Sequence, residues 1–197
     1  MQHHESQHLN PMTAHATCPQ CAAFSRSRRF VLGAIFGAAT VLVARSAPAA
    51  ADAASPADEK FMRMAIDEAR RADFPFGAVI VRENDVIARG RNRGREFDDP
   101  TDHGEMDAIR NAVAGPGGKA LRGATLYTSG EPCPMCMGAI LWCRFGRLVY
   151  AASMEQLATK IEQPALRAAE VAAKWPFAPI SITGGVLADE AMALFTK

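Results

Sequence analysis

The sequence predicts an α/β fold in which helices layer against a mixed sheet of about five strands. Three observations carry this. From Pro56 onward, apolar residues recur at helical spacing and at strand spacing by turns. Two short strand patterns come first, joined by a polar turn. The later strand patterns are separated by helical ones, the order that α/β layering requires. No internal repeat or low-complexity tract interrupts the pattern after Pro56.

The elements follow in order. Residues 57–74 place Phe61, Met64, Ala65 and Ala69 on one helical stripe, with Asp58 and Glu59 early, where the helix dipole favours acids. A strand is expected over 78–82, a turn at Glu83 to Asp85, and a return strand over 86–91. Alternate spacing along that strand would put Arg89, Arg91, Arg93 and Arg95 on one side, as a solvated face. Pro100 and Thr101 precede a second helix over 102–114, stopped by the Gly-Pro-Gly-Gly run at 115–118. Residues 124–129 read as a buried strand, 133–145 as a third helix, and 147–153 as another strand. An Ala-, Glu- and Leu-rich stretch over 157–174 reads as helical. A strand at 180–183, a Gly184-Gly185 turn and a last helix from Asp189 complete the chain.

Ahead of this domain lies a different composition. Ser27, Arg28 and Arg29 lead into fifteen uncharged residues (30–44), followed by an alanine-rich zone in which Ala47-Pro48-Ala49 is the expected cleavage site. A basic segment, an apolar segment and a small-residue cut site make a signal peptide, and the paired arginines point to twin-arginine export. The alternative is an inner-membrane anchor, but a span needs about 20 apolar residues. Residues 1–49 are therefore expected as a leader, 50–57 as a linker and 58–197 as the folded domain, with a periplasmic location.

The leader holds four of the five histidines and two of the five cysteines, Cys18 and Cys21, leaving His103 and three cysteines beyond it. It also holds four of the 22 Lys and Arg and one of the 21 Asp and Glu, so residues 50–197 carry 18 against 20, a net charge of −2. Nucleic-acid binding leans on a basic face, so the balance favours a small molecule over a polyanion.

The chemistry concentrates in Cys133-Pro134-Met135-Cys136. Such a pair serves a redox dithiol, a structural zinc or a catalytic zinc, and each use needs different company. The one further nitrogen ligand is His103, at a predicted helix start, with Glu105 two residues on. Residues three apart share a helix face, so Cys133 and Cys136 can hold one ion, and the helix dipole lowers thiolate pKa values. Two sulfurs and one imidazole leave a fourth tetrahedral position for water, whose proton Glu105 can accept and pass on. His-x-Glu followed by Pro-Cys-x-x-Cys, with 26 residues between Glu105 and Pro132, is a zinc-deaminase signature.

On "PFGAVIV" (75–81), Asn92 eleven residues before His103, "DPTDHGEMDAIR" (99–110) and "LYTSGEPCPMCMGAILWCR" (126–144), the chain resembles the cytidine and deoxycytidylate deaminase superfamily, nearest its guanine deaminase and tRNA adenosine deaminase branch. The resemblance implies a three-layer α/β/α sandwich, Zn2+ on His103, Cys133 and Cys136, Glu105 as proton shuttle, and a homodimer. It suggests that Ala78, Asn92 and the Ser129 backbone line the base pocket, with Trp142 where guanine deaminases carry tryptophan. Gly104 stands where the family has alanine, and Gln156 where guanine deaminases carry an aspartate.

The expected reaction is zinc-dependent hydrolysis of an amino group on a base, with guanine to xanthine first, cytosine or a nucleoside next, and tRNA adenosine after them. A non-catalytic zinc-stabilised interaction domain and a thiol oxidoreductase are the alternatives of other classes. Glu105 separates the first of these, since a structural site has no use for it; the sole histidine separates the second. Cys143, seven residues past Cys136 and on the order of 10 Å from it along a helix, is expected as a buried free thiol. Trp175-Pro176-Phe177 is expected to cap a helix.

Overall fold

A computed structural model describes residues 54–176 and 179–195; the expected leader, its Cys18 and Cys21, and Phe177 lie outside the described residues. Among the described residues, no helix is long and apolar enough to cross a membrane.

Helix α1 (Pro56–Ala69) starts inside the expected linker, because Ser55 caps it. The Ser55 hydroxyl accepts from the Asp58 N–H (3.2 Å) and the Asp58 carboxylate accepts from the Ser55 N–H (2.8 Å), a reciprocal capping box. Its buried stripe is Phe61, Met62, Ala65, Ile66 and Ala69; Met64 is only partly buried. Strands β1 (Gly77–Arg82) and β2 (Asp85–Arg91) form a hairpin whose two turn residues, Glu83 and Asn84, both have positive φ (52° and 72°). Such a turn matches strand twist. The register shifts between Ile80 and Val81, a bulge in β2 that increases local twist.

After β2 the chain forms a single turn of helix, α2 (Gly94–Phe97). The strand ends at Arg91, so Arg93 and Arg95 leave it and the four arginines do not share one strand face, contrary to expectation. Helix α3 (Gly104–Ala114), strand β3 (Thr125–Gly130), helix α4 (Pro134–Trp142) and strand β4 (Arg147–Ala152) follow the expected order. The stretch 157–174 is not one helix. It splits into α5 (Met154–Ala158) and α6 (Ala168–Ala173), with residues 159–167 outside any helix, because Pro164 removes an N–H and clashes with the preceding turn. Strand β5 (Ser181–Thr183) and helix α7 (Ala188–Met192) close the domain.

The five strands lie in the order β2-β1-β3-β4-β5, with β1 antiparallel to both neighbours and β3, β4 and β5 parallel. Alternation along each strand feeds two cores. Ala78, Ile80, Leu126 and Leu148 face α3 and α4 through Ala108, Ile109, Met137 and Ile140; Val79, Val81, Tyr127 and Val149 face α1 and α7 through Phe61, Met62, Ile66 and Ala191. Both sheet faces are therefore covered, and the fold is the expected α/β/α sandwich with a mixed sheet of five strands.

Candidate metal centre and active site

Two helix N-termini meet at one end of the sheet. His103 is the N-cap residue of α3 and Cys133 the N-cap residue of α4, both with extended backbone (φ −72°, ψ 159° and φ −63°, ψ 165°). α3 can lie close enough because β2 offers Gly90 beneath it, where a Cβ would stand 2.1 Å from the Ala108 nitrogen. α4 is placed by β3, which delivers the chain to Glu131 and Pro132 just before Cys133.

The His103 Nδ1 atom lies 3.6 Å from the Cys133 Sγ and 3.5 Å from the Cys136 Sγ. All three donor atoms fall within 4.8 Å of one another. Tetrahedral zinc with bonds of about 2.3 Å to sulfur and about 2.0–2.1 Å to nitrogen sets its N and S ligands roughly 3.6 Å apart. The observed spacing and the N, S, S donor set fit that ion. The hydrogen bond between the two sulfurs favours a thiolate at Cys133 and a thiol at Cys136. The hydrogen bond with Cys136 holds Cys133 down to about 4, the same contact pushes Cys136 up, and burial adds to that rise. His103 is raised chiefly by its contact with Cys133.

Glu105 sits in the first turn of α3, buried (4% exposed), beside this triad. Burial pushes its carboxyl above the ordinary value, and negative charge at Cys133 adds to the rise. Thr128 of β3, fully buried, donates its hydroxyl to Glu105 Oε1 at 3.4 Å. Glu105, His103 and Cys133 line a recess of about 50 Å³ with Phe76, Glu131 and Gln163. A wider cavity of about 490 Å³ shares Phe76, His103, Cys133 and Gln163, and adds Phe74, Asn92, Ile161, Glu162 and Pro164.

Of the other expected site residues, Asn92 is in that wider wall, its Oδ1 accepting from the Gly94 N–H at 3.2 Å. Ala78 is fully buried in the α3/α4 core and Ser129 is 2% exposed, its hydroxyl accepting from the Gly77 N–H at 3.0 Å to join β1 to β3. Neither lines the cavities described. Trp142 stands at the far end of α4, 67% exposed and edge-on to Trp175 at 5.4 Å between ring centroids. It lies outside the pocket of this chain because six residues of helix, about 9 Å, separate it from Cys136. Gln156 points into neither cavity; it closes the cap of α5, its Oε1 accepting from the Ser153 N–H at 2.9 Å. Cys143 is half-buried rather than buried and lies outside the metal triad. Residues 161–164 and Phe74 were not foreseen at the site, and Phe76, Thr128 and Glu131 stood inside the quoted motifs without an assigned role; Pro164 was the one local signal that a loop lay at 161–164.

The fold and the site define a three-layer α/β/α domain with a protein-borne zinc triad and a buried carboxyl beside it. The sequence profile of the "Cytidine and deoxycytidylate deaminase zinc-binding region" matches residues 55–152. The chain belongs to this family. It is 51% identical to the guanine deaminase of Bacillus subtilis over 78 residues, 40% of this chain and 50% of that protein. It is 47% identical to the tRNA-specific adenosine deaminase of Agrobacterium fabrum over 96 residues, 47% of this chain and 63% of that protein. Among solved structures, a tRNA:A34 deaminase studied for A-to-I editing at the wobble position of transfer RNA superposes with a TM-score of 0.60 at 34% identity, covering 68% of this chain and 98% of that one. The matches thus span about half to two thirds of these curated relatives' lengths.

Proposed function

We propose that the protein catalyses hydrolytic deamination of a nucleobase, water replacing an exocyclic amino group that leaves as ammonia. The observation that carries this reading is Glu105, a buried acid beside a three-ligand zinc site in a recess that shares Phe76, His103, Cys133 and Gln163 with a larger cavity. A structural zinc site takes four protein ligands; among the described residues only three converge here. When bound, zinc supplies a Lewis acid that lowers the pKa of a water molecule to near neutrality. Glu105 takes one proton from the attacking water and delivers it to the ring nitrogen. It then takes the second from the hydroxyl newly bound to the ring carbon and delivers it to the amino group, which leaves as ammonia while the ring carbon becomes a carbonyl. Thr128 fixes the carboxyl from behind, and Phe74 and Phe76 offer flat apolar walls against which a planar ring can pack.

Guanine is the substrate we favour. The small net charge of residues 50–197, 18 basic against 20 acidic, gives little to hold a polyanion, and half of the guanine deaminase chain matches at 51% identity. The second reading is adenosine in tRNA, favoured by the 34% identity that spans nearly the whole tRNA:A34 deaminase. Ammonia release from guanine, guanosine, cytosine, cytidine, adenine and adenosine, alongside inosine formation in a tRNA anticodon stem-loop, separates them. Release from guanine alone supports the first reading; inosine in the stem-loop with no free-base activity replaces it with the second.

A homodimer is proposed on the resemblance and on α4, an almost wholly apolar helix that leaves Met135 (38%) and Trp142 (67%) exposed. Sedimentation at micromolar concentration tests it, and a monomer refutes it. Export through the twin-arginine route, proposed on residues 27–49, predicts that the protein fractionates with the periplasm and stays in the cytoplasm when Arg28 and Arg29 are both replaced by lysine.

A further inference from the structure

The segment that roofs the wider cavity is held at both ends by one side chain. Residues 155–167 connect the first residue of α5 to the first residue of α6, and Ile161, Glu162, Gln163 and Pro164 of this strap line the cavity beside His103 and Cys133. Thr159, Lys160 and Ile161 still donate backbone hydrogen bonds back to Gln156 and Leu157, while residues 162–167 lie outside any helix. Glu131 lies two residues before the zinc ligand Cys133, and its carboxylate is 1% exposed. Its Oε2 accepts from the Met154 N–H at 2.8 Å, and its Oε1 accepts from the Ala168 N–H at 2.9 Å. The Arg167 Nε stands 3.8 Å from the same Oε1, and the Glu131 N–H donates to the Ala152 carbonyl at 2.8 Å, tying the residue to the end of β4.

We propose that Glu131 is a positioning residue whose single carboxylate pins both ends of the strap, so that the roof of the substrate cavity is set by the residue that leads into the zinc ligand. A helix leaves its first N–H groups without partners in the helix itself. Here the first N–H of α5 and the first N–H of α6 converge on the two oxygens of one acid, and a carboxylate is the side chain that can accept both. Only its function as a substrate-positioning device rests on the proposed deaminase activity; the pin itself does not.

The test is Glu131→Gln in the full-length, zinc-loaded protein, read by amide hydrogen exchange and by steady-state kinetics. Glutamine offers one accepting oxygen and an NH2 that cannot accept, so one strap end must be released. In the wild-type protein the Met154 and Ala168 amides are expected to exchange on the order of 100-fold slower than unpaired amides. In the variant at least one is expected to lose that protection, zinc stays at one per chain, and KM rises roughly 10-fold or more while kcat stays within about 3-fold. A variant with both amides still protected, or one that loses kcat at unchanged KM, overturns the proposal. Should the variant not fold, the wild-type exchange decides: either amide exchanging at the unpaired rate refutes the pin. If no substrate is turned over, the exchange result still stands or falls by itself, separately from the deaminase reading.

Discussion

Asp58 offers a stability prediction whose size and sign follow from the structure. Its carboxylate is 1% exposed and sits where the N-terminus of α1 meets β3 and β4. Burial by itself would raise its pKa. The Arg147 guanidinium (Nη1 to Oδ1, 2.6 Å), the Ser55 N–H and hydroxyl and the Tyr127 hydroxyl (2.9 Å) outweigh that and lower it from 3.8 to about 2. A folded-state pKa below the unfolded one gives stability that is complete above the unfolded value and is lost as pH falls through the folded one. The 3.8-to-2 difference, at 1.36 kcal/mol per unit, is worth about 2 kcal/mol at pH 7, roughly half of that at pH 3, and little by pH 2. Asp58→Asn removes the titrating group and keeps the shape. The measurement is urea unfolding of both proteins from pH 7 to pH 3, comparing their difference so that other carboxylates cancel. The wild type is expected to lose about 1 kcal/mol of its advantage over the variant across that range. An advantage that stays constant with pH would show that Asp58 is not held in this ionised network.

Other outcomes follow from the same geometry. Gly90→Ala places a Cβ 2.1 Å from the Ala108 nitrogen and 2.4 Å from the Gly104 carbonyl. It should push α3 off the sheet, cost about 3 kcal/mol or more, and lower zinc content, which thermal melting and metal analysis would show. Gly104→Ala, by contrast, meets the Phe76 carbonyl at 3.0 Å and the Gly77 Cα at 3.1 Å, which a small shift relieves; about 1 kcal/mol or less is expected, with zinc retained. His103→Ala leaves two thiolates on the ion and should reduce zinc well below one per chain, with a fall in melting temperature that added zinc does not restore. Trp142→Ala, at a site 67% exposed and outside the pocket of this chain, should leave kcat and KM within about 2-fold when assayed at high protein concentration.

The parts legible in the sequence were those set by local chemistry. The strand Ala78 to Arg82 was legible as a short run of apolar and β-branched residues ended by a polar turn, the pattern of a strand covered on both faces. His103, Glu105, Cys133 and Cys136 were legible because metal ligation and helix starts both demand short fixed spacings. The strap was not. Its alanine and glutamate content favours helix, yet Pro164 breaks it and Glu131, far away in sequence, draws both flanking helix starts to itself. Thr128 and Phe76 reach the site only through strand pairing of β1 with β3, which no local pattern encodes. Met62 and Ile66 outweigh Met64 in the core because the stripe of α1 is turned by the sheet it meets. Trp142 was assigned by likeness of motif, and the length of α4 carries it away from the zinc end.

The most direct test of the account is ammonia release by the zinc-loaded protein and its Glu105→Gln variant, each with zinc measured on the same sample. Glutamine fills the same buried space beside the triad but cannot carry a proton between water and base. The account predicts one zinc per chain in both proteins and a loss of turnover on the order of 100- to 10,000-fold in the variant. Equal turnover in the two, or a wild-type protein that binds zinc and releases ammonia from no base or tRNA offered, would contradict it.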